Sequence, residues 1–135
     1  MTRQRPSRSW LWGAAILGLL VLAPMAMYLL LKQEAGRNAK LLSEDWNAAH
    51  TCAVSTYAPY LEGNSVRSRL FYLFSASTFF RVHDARGQPL KSTEWRLWER
   101  EFGDQEAPKW IHDGSLVYPT TDGYAHWELP ECAPP

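Results

Sequence analysis

Trp10-Leu-Trp-Gly-Ala-Ala-Ile-Leu-Gly-Leu-Leu-Val-Leu-Ala-Pro-Met-Ala-Met-Tyr-Leu-Leu-Leu31 is a run of 22 residues without a charged or amide side chain. As a helix rising about 1.5 Å per residue it reaches roughly 33 Å, enough for a hydrocarbon core of about 30 Å. A cleaved signal peptide has a shorter apolar core, about 7–15 residues, and ends at a small-x-small site. This run passes instead into Tyr28-Leu-Leu-Leu-Lys32. Its nearest approach to a cleavage site, Leu22-Ala-Pro-Met-Ala26, is spoiled by Pro24 and the apolar residues beyond it. The run therefore reads as an uncleaved signal anchor.

Arg3, Arg5 and Arg8 precede the run with no acid among them, while Lys32, Arg37 and Lys40 follow it, interspersed with Glu34, Glu44 and Asp45. Positive charge near the ends of a span orients it. The slight N-terminal bias and the short tail point to an N-in topology in a bacterial inner membrane. Trp10 and Trp12 suit one interface and Tyr28 the other. Ala14 and Gly18 form a small-xxx-small pair, a pattern that permits close helix packing but also belongs to ordinary transmembrane composition. With no ionisable side chain at bilayer depth, this helix by itself carries no ion pathway.

The remaining 104 residues hold 11 Lys/Arg and 14 Asp/Glu, a balance of −3 that offers no polyanion-binding surface and argues against nucleic acid as a partner. Both cysteines, Cys52 and Cys132, lie in this part. In an oxidising compartment they are expected to pair, closing a loop of about 80 residues. Ala35, Ala39, Leu42, Trp46 and Ala49 fall on one helical stripe, which predicts a stalk helix continuing the anchor. Val66 to Phe74 carries strand-forming residues with apolar side chains on both faces and predicts a central strand; Thr78 to His83 predicts another.

Asp84-Ala-Arg-Gly87 is a turn signal. After it, Leu90 to Glu94 reads either as a returning hairpin strand or, slightly preferred, as the approach to a Thr93-capped helix with Trp95, Trp98 and Phe102 on one face. Lys109 to His112, Ser115 to Tyr118 and Tyr124 to Leu129 predict three further strands. Asp113-Gly114 forms a type I′ hairpin signal between the first two, and Thr121-Asp-Gly123 a turn before the third. The expected fold class is α+β: a transmembrane helix and stalk helix followed by a small, mainly antiparallel β domain closed by one disulfide. The boundaries are a basic cytoplasmic tail at 1–9, the membrane helix at 10–31, the stalk at 32–51 and an exported periplasmic domain at 52–135.

Few residues suggest chemistry. His50, His83, His112 and His126 lack helical metal-ligand spacing, and there is no zinc-type cysteine pair, phosphate loop, dinucleotide fingerprint or Gly-x-Ser-x-Gly. His112 and His126 on neighbouring strands with Asp113 or Glu128 are the only arrangement with metal potential, and lone surface histidines are far commoner than ligands. His50 beside Cys52 hints at a thiol nucleophile, which a disulfide would forbid. Glu99 with Glu101, or Glu128 with Glu131, fit solvated surface charge better than paired acid-base carboxylates. No catalytic, cofactor-binding or metal residue is assigned.

The aromatic content is the remaining signal. Five tryptophans and five tyrosines in 104 residues exceed what one small core ordinarily absorbs, and Trp95, Trp98 and Trp110, set among arginines and acids, are the candidate interface. These observations favour a non-catalytic accessory protein acting by contact with another envelope or membrane protein. A holin-like protein that self-associates through Ala14 and Gly18, and a tethered periplasmic enzyme or ligand binder, are the alternatives.

Overall fold

A computed structural model describes residues 8–75, 77–95 and 106–134 of the chain. Helix α1 (Arg8–Arg37) is 30 residues long, about 45 Å, and runs through Pro24. Its Trp12–Arg37 portion is long and apolar enough to cross a membrane. Among the described residues seven strands follow in chain order: β1 (Lys40–Trp46), β2 (Cys52–Ala58), β3 (Phe79–Asp84), β4 (Pro89–Ser92), β5 (Lys109–His112), β6 (Ser115–Thr120) and β7 (Gly123–Glu128). A second helix, α2 (Val66–Phe74), lies between β2 and β3, and a single 3-10 turn, Pro130–Cys132, follows β7.

The strands form two antiparallel sheets, a four-stranded one in the order β1-β2-β3-β4 and a three-stranded one in the order β5-β6-β7. Period-two alternation supplies the core between them. Cys52 and Val54 of β2 and Phe80 and Val82 of β3 meet Leu116 and Tyr118 of β6, Trp127 of β7, and Leu129 and Cys132 beyond it. The Tyr118 ring lies 4.5 Å from that of Trp127 and 5.9 Å from that of Phe80, centroid to centroid. The expected disulfide is present: Cys52 and Cys132 are bonded, with Cα atoms 5.4 Å apart across 80 residues of sequence. The α+β class, the antiparallel pairing and the three C-terminal strands agree with the sequence reading.

Three local expectations are corrected. The stalk helix over 32–51 does not form, because α1 stops at Arg37 and residues 40–46 pair with β2 instead. The proposed stripe is mostly alanine, which buries little, whereas pairing matches six of the seven β1 residues to β2 and sets Trp46 edge-on to His83 at 6.1 Å. Val66–Phe74 is a helix, not a strand. Ser65 caps it by accepting a hydrogen bond from the Ser68 amide at 3.2 Å, and the Ser75 amide closes it on the Phe71 carbonyl at 2.8 Å. The Asp113-Gly114 connection does join β5 to β6, but neither residue has the positive φ a type I′ turn requires.

After the Asp84–Gly87 turn, Pro89–Ser92 pairs with β3, which is the hairpin alternative; the Thr93-capped helix falls mainly on residues 96–105, outside the described set. Gly87 takes φ 79°, as its place in that turn demands.

The end of α1 is fastened to the domain by a second apolar cluster: Leu31 and Ala35 of α1, Leu61, and Phe71 of α2, with Tyr28 packed against them. The Tyr60 amide donates to the Ala35 carbonyl at 3.1 Å, and Arg81 of β3 donates to the Gly36 carbonyl at 3.2 Å.

Candidate interaction surface

The three tryptophans singled out in the sequence end in different situations. Trp95, just past β4, is 53% exposed. Trp110 on β5 is half-buried against the core, and its indole Nε1 donates to the Asp45 carbonyl at 3.2 Å, so it tacks the edge of one sheet to β1 of the other. Trp98 lies outside the described residues. In the membrane-type helix, Ala14 is exposed and a side chain added at Gly18 would meet nothing within 4 Å.

β1 is exposed in a way that its residues do not announce. It is an edge strand, and all seven of its residues are exposed. A bulge between Leu41 and Ser43 leaves Leu42 without a partner on β2, so Leu41 and Leu42 are both offered to solvent near an open ladder. At the other end of the strand Trp46 remains 37% exposed.

Beside Trp46 lies a small polar network on the face of the four-stranded sheet that points away from the core. Trp46 Nε1 donates to Glu44 Oε1 at 3.0 Å. The Ser55 hydroxyl lies 3.0 Å from His83 Nε2 and 3.3 Å from Glu44 Oε2, which is itself 3.6 Å from the same His83 nitrogen. Serine, histidine and glutamate in contact suggest a triad, but the roles do not fit. A triad holds the carboxylate on one imidazole nitrogen and the nucleophile on the other. Here both approach Nε2, Nδ1 faces the Asp84 carbonyl at 3.5 Å, and Ser55 is wholly buried. The arrangement orients Trp46 and His83; it does not present an activated hydroxyl.

A second network on that face joins β3 to α1. Arg81 pairs with Glu94 at 2.7 Å while its guanidinium lies 4.8 Å from the Tyr57 ring centre and 4.9 Å from that of Phe79. A planar guanidinium can satisfy both demands, donating in its plane and stacking across it.

The histidines are accounted for locally. β6 separates β5 from β7, so His112 and His126 are not on adjacent strands; His112 Nδ1 accepts from the Gly114 amide at 3.3 Å, and His126 lies 3.8 Å from Glu128. Among the described residues no group of three or more His, Cys, Asp or Glu side chains is arranged to hold a metal ion. Cys52 is committed to its disulfide, Glu128 accepts from Ser115 at 3.4 Å, and Glu99 and Glu101 are outside the described residues. No protein-family model, curated protein or solved structure matches the chain.

Proposed function

We propose that the protein is a single-pass, membrane-anchored accessory protein of a bacterial envelope, acting by contact between its periplasmic domain and another envelope protein. The observation that carries this reading is β1: an open-edged strand, exposed along its whole length, bearing Leu41, Leu42 and Trp46. Edges of this kind are usually covered or blunted, and an uncovered one with large apolar side chains suits addition of a partner's strand or packing of its surface. This shifts the expected interface from Trp110, which is tied to β1, to β1 itself. Trp95 remains a separate exposed aromatic.

The anchor is supported by the length and apolarity of α1, the N-in orientation by the three arginines of the tail, and an oxidising compartment by the buried disulfide. The test is affinity purification of the full chain from envelopes in mild detergent, beside Leu42→Lys, whose side chain is exposed. A stoichiometric partner lost on Leu42→Lys, with the disulfide retained, supports the reading. A partner bound equally by the variant, or none, overturns it. Self-association of the chain that survives Leu42→Lys and is lost on Gly18→Leu would favour action through the membrane helix instead.

A further inference from the structure

Helix α2 has two unlike sides. Ser68 and Phe71 face inward, and Phe71 packs with Leu31 and Ala35 of α1. Val66, Leu70, Leu73 and Phe74, at i, i+4, i+7 and i+8, share the opposite side, and each is 50% exposed or more. Arg67 and Arg69 border that apolar arc at its two edges, because a turn of 3.6 residues sets them on either side of it. A strip of large apolar side chains flanked by arginines, on a helix fixed to its own domain by the other side, is the pattern of a helix that meets a membrane surface.

The contacts with α1 set its height. Arg67 at the start of α2 pairs with Glu34 at 3.1 Å, and at its end the Phe74 carbonyl accepts from the Tyr28 hydroxyl at 3.4 Å. From Glu34 to Tyr28 is six residues, so α2 descends alongside α1 by about 9 Å toward the apolar run. That run ends at Leu31, which places Leu73 and Phe74 level with its last turn and the two arginines above it. The Tyr28 hydroxyl also satisfies one of the carbonyls that a helix C-terminus leaves open, a requirement that becomes severe where water is excluded.

We propose that α2 is an interfacial helix that dips into the leaflet nearest the domain, with Leu70, Leu73 and Phe74 of its apolar side entering the acyl chains, deepest at Leu73 and Phe74, and with Val66, Arg67 and Arg69 at the headgroups. The inference rests on α1 spanning the bilayer. Together the two helices fix the domain's height and rotation over the membrane, and with them the direction in which β1 faces.

The experiment uses the full chain in phosphatidylcholine/phosphatidylglycerol vesicles, with one cysteine at a time introduced as Leu20→Cys, Leu73→Cys, Arg69→Cys or Asp122→Cys and spin-labelled. All four positions lie on the surface, and a non-reducing gel verifies that the native disulfide persists. Dioxygen concentrates in lipid and a nickel chelate stays in water, so the ratio of their collision rates reads depth. The expected ratio at Leu73 is several-fold above that at Asp122, with Arg69 between them and Leu20 the highest.

A Leu73 label freely reached by the nickel chelate while Leu20 is protected leaves the anchor standing and overturns the interfacial helix. A Leu73 label shielded from both reagents means that a second copy covers this face, which also overturns it. A Leu20 label open to nickel removes the anchor and the inference together.

Discussion

The Asn47 side chain donates to the Cys132 carbonyl at 3.1 Å, while its own Oδ1 accepts from the amide of Cys52, the residue to which Cys132 is disulfide-bonded. One buried amide thus closes a ring with the disulfide. It also holds the Thr51 amide at 2.9 Å and the Asp113 carbonyl at 3.0 Å, joining the β1–β2 hairpin, the β5–β6 turn and the C-terminal turn. Asn47→Ala removes the side-chain partner of the buried Cys52 amide and of the partly buried Thr51 amide and Asp113 carbonyl, while the Cys132 carbonyl keeps the Thr51 hydroxyl; each group left unsatisfied costs about 1–3 kcal/mol. The expected loss is about 3 kcal/mol, read as a lower urea midpoint with unchanged slope in tryptophan fluorescence.

The disulfide should matter on a similar scale. Closing a loop of 80 residues lowers the entropy of the unfolded chain, worth about 4–5 kcal/mol on polymer grounds. Cys52→Ala with Cys132→Ala should lower stability by that order. Both sulfurs are buried, so reductant added to the native protein should act slowly, at a rate set by opening of the fold. Rapid reduction in a thiol-trapping time course would contradict this.

His50, at the tip of the β1–β2 hairpin, has φ 53°, a left-handed conformation that costs a non-glycine residue roughly 1–2 kcal/mol. His50→Gly should be neutral to stabilising by about 1 kcal/mol, with Gly's greater freedom in the unfolded chain offsetting part of the gain. A clear loss of stability would mean that the tilted contact between the His50 and Trp46 rings, 6.2 Å between centroids, outweighs the strain.

Arg81 ties β3 to both Glu94 and the end of α1. The pair is partly exposed, so Arg81→Ala should cost only about 1 kcal/mol of global stability. Its larger effect should be local, as faster amide exchange at Gly36 to Ala39 and at Glu94. Arg81→Lys keeps the charge but cannot both stack and donate as a fork, and should recover little. Gly36→Ala approaches the same contact from the other side, since a methyl group there would collide with the Glu94 carboxylate.

Asp84 organises the β3–β4 turn, its Oδ1 accepting from the amides of Arg86 and Gln88, both at 2.8 Å. The Gln88 amide is the largest cause of a carboxyl pKa below the usual 3.8, ahead of the opposing desolvation and of the help from Arg86. A depressed folded pKa means that this stabilisation is fully present above the unfolded value and is lost as pH falls through the folded one. Asp84→Asn should therefore flatten the part of the acid-unfolding curve below about pH 4. An identical acid limb in wild type and variant would show that the carboxylate contributes nothing there.

How much of this could be read along the chain depends on whether the deciding interaction was local. The Asp84–Gly87 turn, the last three strands and the long apolar helix each carry their signal within a few residues: a capping carboxylate, a glycine with positive φ, alternation, continuous apolarity. The cysteine pairing followed from there being only two. The helix of Val66–Phe74 was not legible in this way, because its apolar residues also fall on both faces of an extended pattern; the Ser65 cap and the packing of Phe71 on α1 select the helix.

The membrane-type helix, the α+β class and the single disulfide were legible along the chain, because apolar length, composition and cysteine count do not depend on what packs against what. Packing between distant segments makes Lys40–Trp46 an exposed edge strand that leaves α1, keeps an apolar side of α2 exposed next to α1, and turns Trp110 into a tack between sheets. Short segments gain too little from their own backbone bonds to choose a conformation. Their partners choose for them: β2 for β1, Tyr28 and Leu31 for α2, and the Asp45 carbonyl for Trp110.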